Sequence, residues 1–313
     1  MSKSCDTCLF RIEGQHYEMK RCKKCSLTNR DFYKEEVQVP TAANKMEELM
    51  LSGLYPSKQH NQAKREAIKR ELKDRLYDSE EKRFVYQKLN GVAKFVAKKI
   101  YQVDTYSLNE YLDDKGLLLP IIKINNTMLK EEPEVAKLLA PYEEAPTYYA
   151  RPSFNKKGKE LNSSRIFPVQ SWSDEELIKE YLLLGNQHKN LEAEYKRAME
   201  EMGQCGVLQE KKKLTYEYGS ISYIPHATRY RIADIYADLG EDFLYIYGEP
   251  HHQSLEEFLL KGTISQSEID QFRTLKDIRV EFTIMSLDSE ERQHMMFKER
   301  TLQMSMNRSS VSY

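Results

Sequence analysis

Two cysteine pairs place the strongest constraint on the chain. Cys5 and Cys8 stand two residues apart, thirteen residues follow, and Cys22 and Cys25 repeat the spacing. Two intervening residues let a tight turn aim both sulfurs at one point. Thirteen residues suffice for a short hairpin that brings the second turn opposite the first. Zn²⁺ takes four thiolates in a tetrahedron at about 2.3 Å each. The pattern therefore predicts a zinc site made by Cys5, Cys8, Cys22 and Cys25. Four thiolates leave no open coordination position, so such a metal is structural. His16 is a spare donor within the spacer. The competing reading is a pair of disulfides. No secretory signal peptide is read, which points to a reducing, cytoplasmic setting and favours the metal.

Between the pairs, Leu9-Phe10-Arg11-Ile12 reads as a strand, Glu13-Gly14-Gln15 as a turn, and His16 to Arg21 as the returning strand. Turn, hairpin and turn together resemble a zinc ribbon, over Cys5 to Cys25 and no further. Lys20, Arg21, Lys23 and Lys24 crowd the second cysteine pair. These cations offset the thiolate charge or contact phosphates. Both roles stay open, and the four are candidate nucleic-acid-binding residues.

The charge distribution bears on the second role. Residues 1–75 hold 16 Lys/Arg against 11 Asp/Glu, a balance of +5, so the remainder of a chain of net charge −1 must carry −6. A basic N-terminal part ahead of an acidic remainder fits nucleic-acid contact at one end, and equally fits docking to a charged protein. With 31% charged and 40% hydrophobic residues, the 313-residue chain has a polar surface and enough apolar material for a core. No apolar run reaches a membrane span of about 18 residues, so no membrane contact is expected. Cys205, the fifth cysteine, has no His or Asn at a recognisable family spacing and reads as a plain free thiol.

Residues 26–57 read as a connector containing a short helix from Ala42 to Ser52. Ser57 then caps a long helix with a narrow apolar stripe of Ala67, Ile68, Leu72 and Leu76. Lys64, Arg65, Lys69 and Arg70 are expected off that stripe. They are the other candidate nucleic-acid contacts, the plain alternative being a solvated helix face. Two more helices are expected, one holding Phe84 to Leu89 and one running from Val92 to Val103. This makes residues 31–140 a helical, partly basic region. Residues 141–172 hold Pro141, Pro146, Pro152 and Pro168 with a Lys156-Lys157-Gly158-Lys159 run, and read as a linker or arm.

Ser173-Asp-Glu-Glu176 is a capping box, with a hydroxyl at the N-cap and a carboxylate three residues on. In the helix it opens, Leu177, Tyr181, Leu184, His188, Leu191, Tyr195, Ala198 and Met202 alternate steps of four and three. That is the seam of a coiled coil. A second copy is the expected cover, making the protein a homo-oligomer. The alternative is an amphipathic helix packed on its own domain. Lys213 to Tyr218 and Ser220 to Ile224 then read as a hairpin around Gly219. Phe243 to Tyr247 and Arg279 to Met285 read as further strands.

The expected fold class is α+β and mostly helical. It comprises a zinc ribbon over 1–30, the helical region 31–140, the linker 141–172, a long coiled-coil-like helix with a small antiparallel sheet and helices over 173–305, and a frayed tail over 306–313. A long helix feeding a small sheet is faintly similar to accessory proteins of bacteriophage recombination regions. That resemblance implies a bacterial or phage-like system, though no motif residue carries it. GxxxxGK[ST], GxGxxG, GxSxG and HExxH are all absent. The best polar cluster, His251 and His252 with Glu249 and Glu256, reads as a surface loop. The expected function is a non-enzymatic binding protein that contacts DNA or a nucleic-acid-handling enzyme. One alternative is a protein-interaction or inhibitor protein stapled by its zinc ribbon. The other is a nuclease-like enzyme with a site that sequence patterns miss.

Protein purified under reducing conditions should hold one tightly bound zinc per chain. Cys22→Ser should lose the metal and leave the helical circular dichroism nearly unchanged, because ribbon and helices have separate cores. Elemental analysis checks the first point, and zinc-free reduced protein would overturn the assignment.

Overall fold

A computed structural model describes residues 41–160 and 167–311. The expected ribbon, with Cys5, Cys8, Cys22, Cys25 and the cations Lys20, Arg21, Lys23 and Lys24, lies outside the described residues. Helices α1 (Thr41–Leu51) and α2 (Leu54–Leu76) come first, followed by β1 (Arg83–Tyr86) and β2 (Gly91–Val103). Next are α3 (Thr105–Asp114), β3 (Ile122–Ile124), α4 (Asn126–Glu131), α5 (Pro133–Leu139) and β4 (Tyr148–Phe154). The long α6 (Asp174–Gly203) leads to α7 (Gly206–Lys211), β5 (Lys213–Tyr216) and β6 (Gly219–Pro225). The chain ends with α8 (Ile232–Leu239), α9 (Glu241–Tyr247), β7 (Gly248–Pro250), α10 (His252–Lys261), β8 (Arg273–Ser286) and α11 (Leu287–Val311). Three small antiparallel sheets result, in the orders β1-β2-β8, β3-β7 and β4-β6-β5. The class is α+β.

The capping box predicted at Ser173 forms: Ser173 N–H donates to Glu176 Oε2 at 2.7 Å and Glu176 N–H to Ser173 Oγ at 3.3 Å. The helix it starts runs antiparallel to α2. Arg75 meets Asp174 at 2.9 Å, the Asn61 amide donates to the Leu184 carbonyl at 3.1 Å, and Lys58 meets Glu192 at 3.7 Å. Along the predicted seam, Leu177 and Leu184 join Ile68 and Leu72 in one core. Ala198 and Met202 join Met46, Leu49 and Met50 of α1 in another. Tyr181 lies under Arg65, 4.7 Å from its guanidinium, and the Tyr195 ring is 5.8 Å from that of Tyr55. His188 and Leu191 are half-buried between these two groups. The seam thus finds cover within its own chain. The homo-oligomer was expected because the seam lacked such cover, and it loses that premise.

Four expectations are corrected. The helical middle is interrupted by β1, a 3₁₀ turn at Gln87–Leu89 and β2, where two helices were expected. Val92, Phe95, Val96, Ile100, Tyr101 and Val103 fit a pleated surface at least as well as a helix, and β2 gains a partner over its whole length in β8. Gly91 opens β2 because a Cβ there would sit 2.6 Å from Ile178 Cγ2 of α6. The supposed linker contains β4, an edge strand in which Pro152 is tolerated because an edge leaves backbone donors free. The expected strand at Phe243 to Tyr247 is helix α9. Asn109 of α3 is fully buried and donates to the carbonyls of Leu244, Tyr245 and Gly248, satisfying the helix end. At the other end, α11 continues to Val311 where fraying was expected from residue 306.

A third core, drawn from residues 108–139 and 230–269, includes Leu108, Leu112, Ile121, Ile235, Leu244 and Ile269. The paired strands β2 and β8 connect it to the α2–α6 core that holds Phe282 and Ile284. Helix α11 makes the same connection, since Met304 packs on the third core and Arg300 meets Glu256 of α10 at 2.7 Å. At its start, Glu290 is buried and accepts from Arg83 Nη2 and Lys94 Nζ, both at 2.7 Å. Those bonds, Arg83 first, hold its carboxyl down to about 2. A depressed carboxylate stabilises the fold above its unfolded pKa and stops doing so as pH falls through the folded value. Glu290→Gln should therefore lower stability by about 1–3 kcal/mol at neutral pH, with the gap narrowing below the ordinary carboxylate range. Urea unfolding at neutral pH and in acid checks this.

Candidate nucleic-acid interface

The sheet β4-β6-β5 has one side in a core and one side in solvent. Alternation along the strands decides which residues go where. Ala150 and Phe154 of β4, Ile221 of β6 and Leu214 of β5 point inward and are buried with α1, α6 and α7. The outward positions are Tyr149, Arg151 and Ser153 on β4, Ser220, Ser222 and Ile224 on β6, and Lys213 and Thr215 on β5. Register places them in rows. Arg151, Ser222 and Lys213 lie side by side, as do Ser153, Ser220 and Thr215, and Tyr149 stands beside Ile224. Arg151, Ser153, Lys213 and Thr215 are exposed, and the other four are half-buried.

Among the described residues, the outward strand positions include no carboxylate. Two cations flank the Ser222 hydroxyl of the central strand, and Tyr149 beside Ile224 closes one end. Among the described residues neither Arg151 nor Lys213 has an ion-pair partner. The next cation, Lys212, is committed elsewhere: its ammonium sits 4.3 Å from the Tyr148 ring centroid and 5.1 Å from that of Tyr223. The Tyr149 ring lies 4.7 Å from that of His226, tilted by 42°. A carboxylate-free, hydroxyl-lined cationic surface is complementary to a polyanion.

Gly219 makes the sheet possible. Its φ is +151°, and a Cβ would stand 2.1 Å from the Ser153 carbonyl oxygen. No side chain fits where β6 starts against the end of β4.

The sequence-predicted contacts are placed differently. Lys64 pairs with Glu180 and lies 5.3 Å from the Trp172 ring, and Arg65 stacks on Tyr181. Both are part of the α2–α6 packing and not free to meet a ligand. Lys69 and Arg70 are exposed and have no ion pair among the described residues, but exposed Glu66 and Asp74 stand among them. The His251 cluster is divided. His251 meets Ser254 at 3.1 Å, His252 meets Glu256 at 3.6 Å, and Glu249 meets Lys123 at 2.8 Å. Among the described residues no group of three His, Cys, Asp or Glu is placed to hold a metal ion. Cys205 is a buried free thiol in the core beneath the sheet. Nor is any helix among the described residues long and apolar enough to cross a membrane.

Sequence reasoning missed the outer face because β4 was read as linker. The signal was present as the alternation Tyr149, Arg151, Ser153, matched by Lys213, Thr215 and by Ser220, Ser222. Comparison with models of known families, with curated proteins and with solved structures finds no match to the chain.

Gly219→Ala should destabilise the protein by about 1–3 kcal/mol from backbone strain alone, with the clash in addition. Gly206→Ala, where a Cβ meets open space at an unstrained φ, should be neutral or slightly stabilising. Urea midpoints of the two variants provide the comparison.

Proposed function

We propose that the protein is a non-enzymatic binding protein of a bacterial or phage-like system, carrying a structural zinc ribbon, that contacts nucleic acid through the outer face of β4-β6-β5. The carrying observation is that, among the described residues, the outward strand positions of that face include no carboxylate and Arg151 and Lys213 flank it without an ion pair. In a chain with 49 acidic residues, eight outward positions without one make a surface suited to phosphate. The basic N-terminal residues Lys20, Arg21, Lys23 and Lys24 would add to the same contact.

A second reading, docking to a partner protein, has its own support in the β2–β8 ribbon. Ala97 faces Val280, Lys99 faces Ile278 and Tyr101 faces Leu275 on one side of it. Of these, Tyr101, Leu275, Ile278 and Val280 are 44–57% exposed. Contact with a nucleic-acid-handling enzyme would combine the two surfaces.

Retention of random-sequence nucleic acid by the full chain tests the main reading. Affinity should fall steeply with salt, because cations that neutralise phosphates release counterions. Arg151→Glu with Lys213→Glu should weaken binding at least about tenfold and flatten the salt dependence by roughly two phosphate contacts. Both side chains are exposed, so the circular dichroism should not change. Undiminished binding by this double variant would remove the face from the interface. No binding by the wild type at low salt would leave the protein-docking reading.

A further inference from the structure

We infer that the outer face of β4-β6-β5 takes single-stranded nucleic acid in preference to duplex, with a base stacked on Tyr149. This rests on the nucleic-acid reading above and narrows it.

Width is the first argument. Three strands lie about 4.8 Å apart. A duplex major groove is about 12 Å wide and admits a helix or a two-stranded ribbon. This sheet has one strand more than such a ribbon. Its central strand offers Ser220, Ser222 and Ile224, which are too short to reach base edges from outside a groove. Against a duplex the face could touch little beyond phosphates.

A single strand fits the same surface by different chemistry. Its backbone is flexible, so phosphates can turn to the cations at either edge while bases lie across the sheet. The row Arg151, Ser222, Lys213 puts the backbone of a cationic residue about 5 Å to each side of Ser222, whose hydroxyl can donate to or accept from a base. In the neighbouring row, Tyr149 and Ile224 form an apolar platform flanked by the His226 ring. Stacking on an aromatic side chain is open to unpaired bases, whose faces are free, and closed to bases inside a duplex. The platform thus has a use with one form of nucleic acid and none with the other.

Fluorescence anisotropy of the full chain with a short oligothymidine, a short oligouridine and a short duplex tests this. The single strands should bind more tightly than the duplex at equal salt, and the tighter of the two would identify DNA or RNA as the source. Tyr149→Ala should weaken single-strand binding by about tenfold, the usual loss for one stacked base, and leave duplex binding unchanged. Tyr149→Phe should restore the affinity, which separates stacking from any effect of the hydroxyl or of folding. Equal affinity for duplex and single strand, or a Tyr149→Ala variant that binds oligothymidine as well as wild type, would overturn the inference and leave the broader reading intact. Failure of all three probes to bind would overturn both.

Discussion

The antiparallel packing of α2 on α6 is the interaction on which the rest of the structure depends. Ile68, Leu72, Leu177 and Ile178 are fully buried there, and each such side chain contributes about 1.5–3 kcal/mol relative to exposure. One end of the pair receives β2 and β8, through Gly91 against Ile178 and through Phe282 and Ile284. The other end receives α1 and the inner side of β4-β6-β5. Midway lies a polar layer in which the buried Asn61 amide donates to the Leu184 carbonyl at 3.1 Å and Arg65 stacks on Tyr181. Sliding one helix along the other would separate that buried bond, so it restricts the register of the pair.

The third core stands apart from this pair and is held to it by extended elements. Ribbon β2–β8 and helix α11 reach it from one end of the helix pair. From the other end, the ladder of β4 and β6 continues past the sheet through Thr147 to His226 and Glu144 to Arg229, with an isolated bridge between Glu143 and Tyr230. Connections of this kind keep much backbone and side-chain surface in water. That is why β2 and β8 are buried where they meet the α2–α6 core and largely exposed between the cores. Glu290 matters here because its two cations come from β1 and β2, so a single carboxylate orients α11 as it leaves the sheet.

The proposed interface follows from the same economy of surfaces. A three-stranded sheet needs only one side to complete a core, and the other side is free to carry chemistry. The inward positions Ala150, Phe154, Leu214 and Ile221 are apolar, and the outward ones are hydroxyl, cationic or aromatic apart from Ile224. Lys212 shows how finely this divides: it turns to the rings of Tyr148 and Tyr223, while Lys213 next to it faces outward. The basic helix α2 took the opposite course, with Lys64 and Arg65 drawn into packing by Glu180 and Tyr181.

What the sequence determined by itself is local. The capping box at Ser173, the apolar period of α6 and the hairpin of β5 and β6 depend on residues within a few positions of one another, and all are in the structure. The α+β class was legible for the same reason. Tertiary structure alone decided the rest. Val92 to Val103 can satisfy a helix or a strand, and β8, far along the chain, settles it by supplying backbone partners. The seam of α6 calls for a cover without naming it, and α1 and α2 supply that cover. Arg151 and Lys213 become neighbours of Ser222 only when β4 and β5 pair with opposite edges of β6. Hydrogen bonding between distant strands has no signature in the spacing of nearby residues, so a surface built from three strands exists only once the sheet has formed.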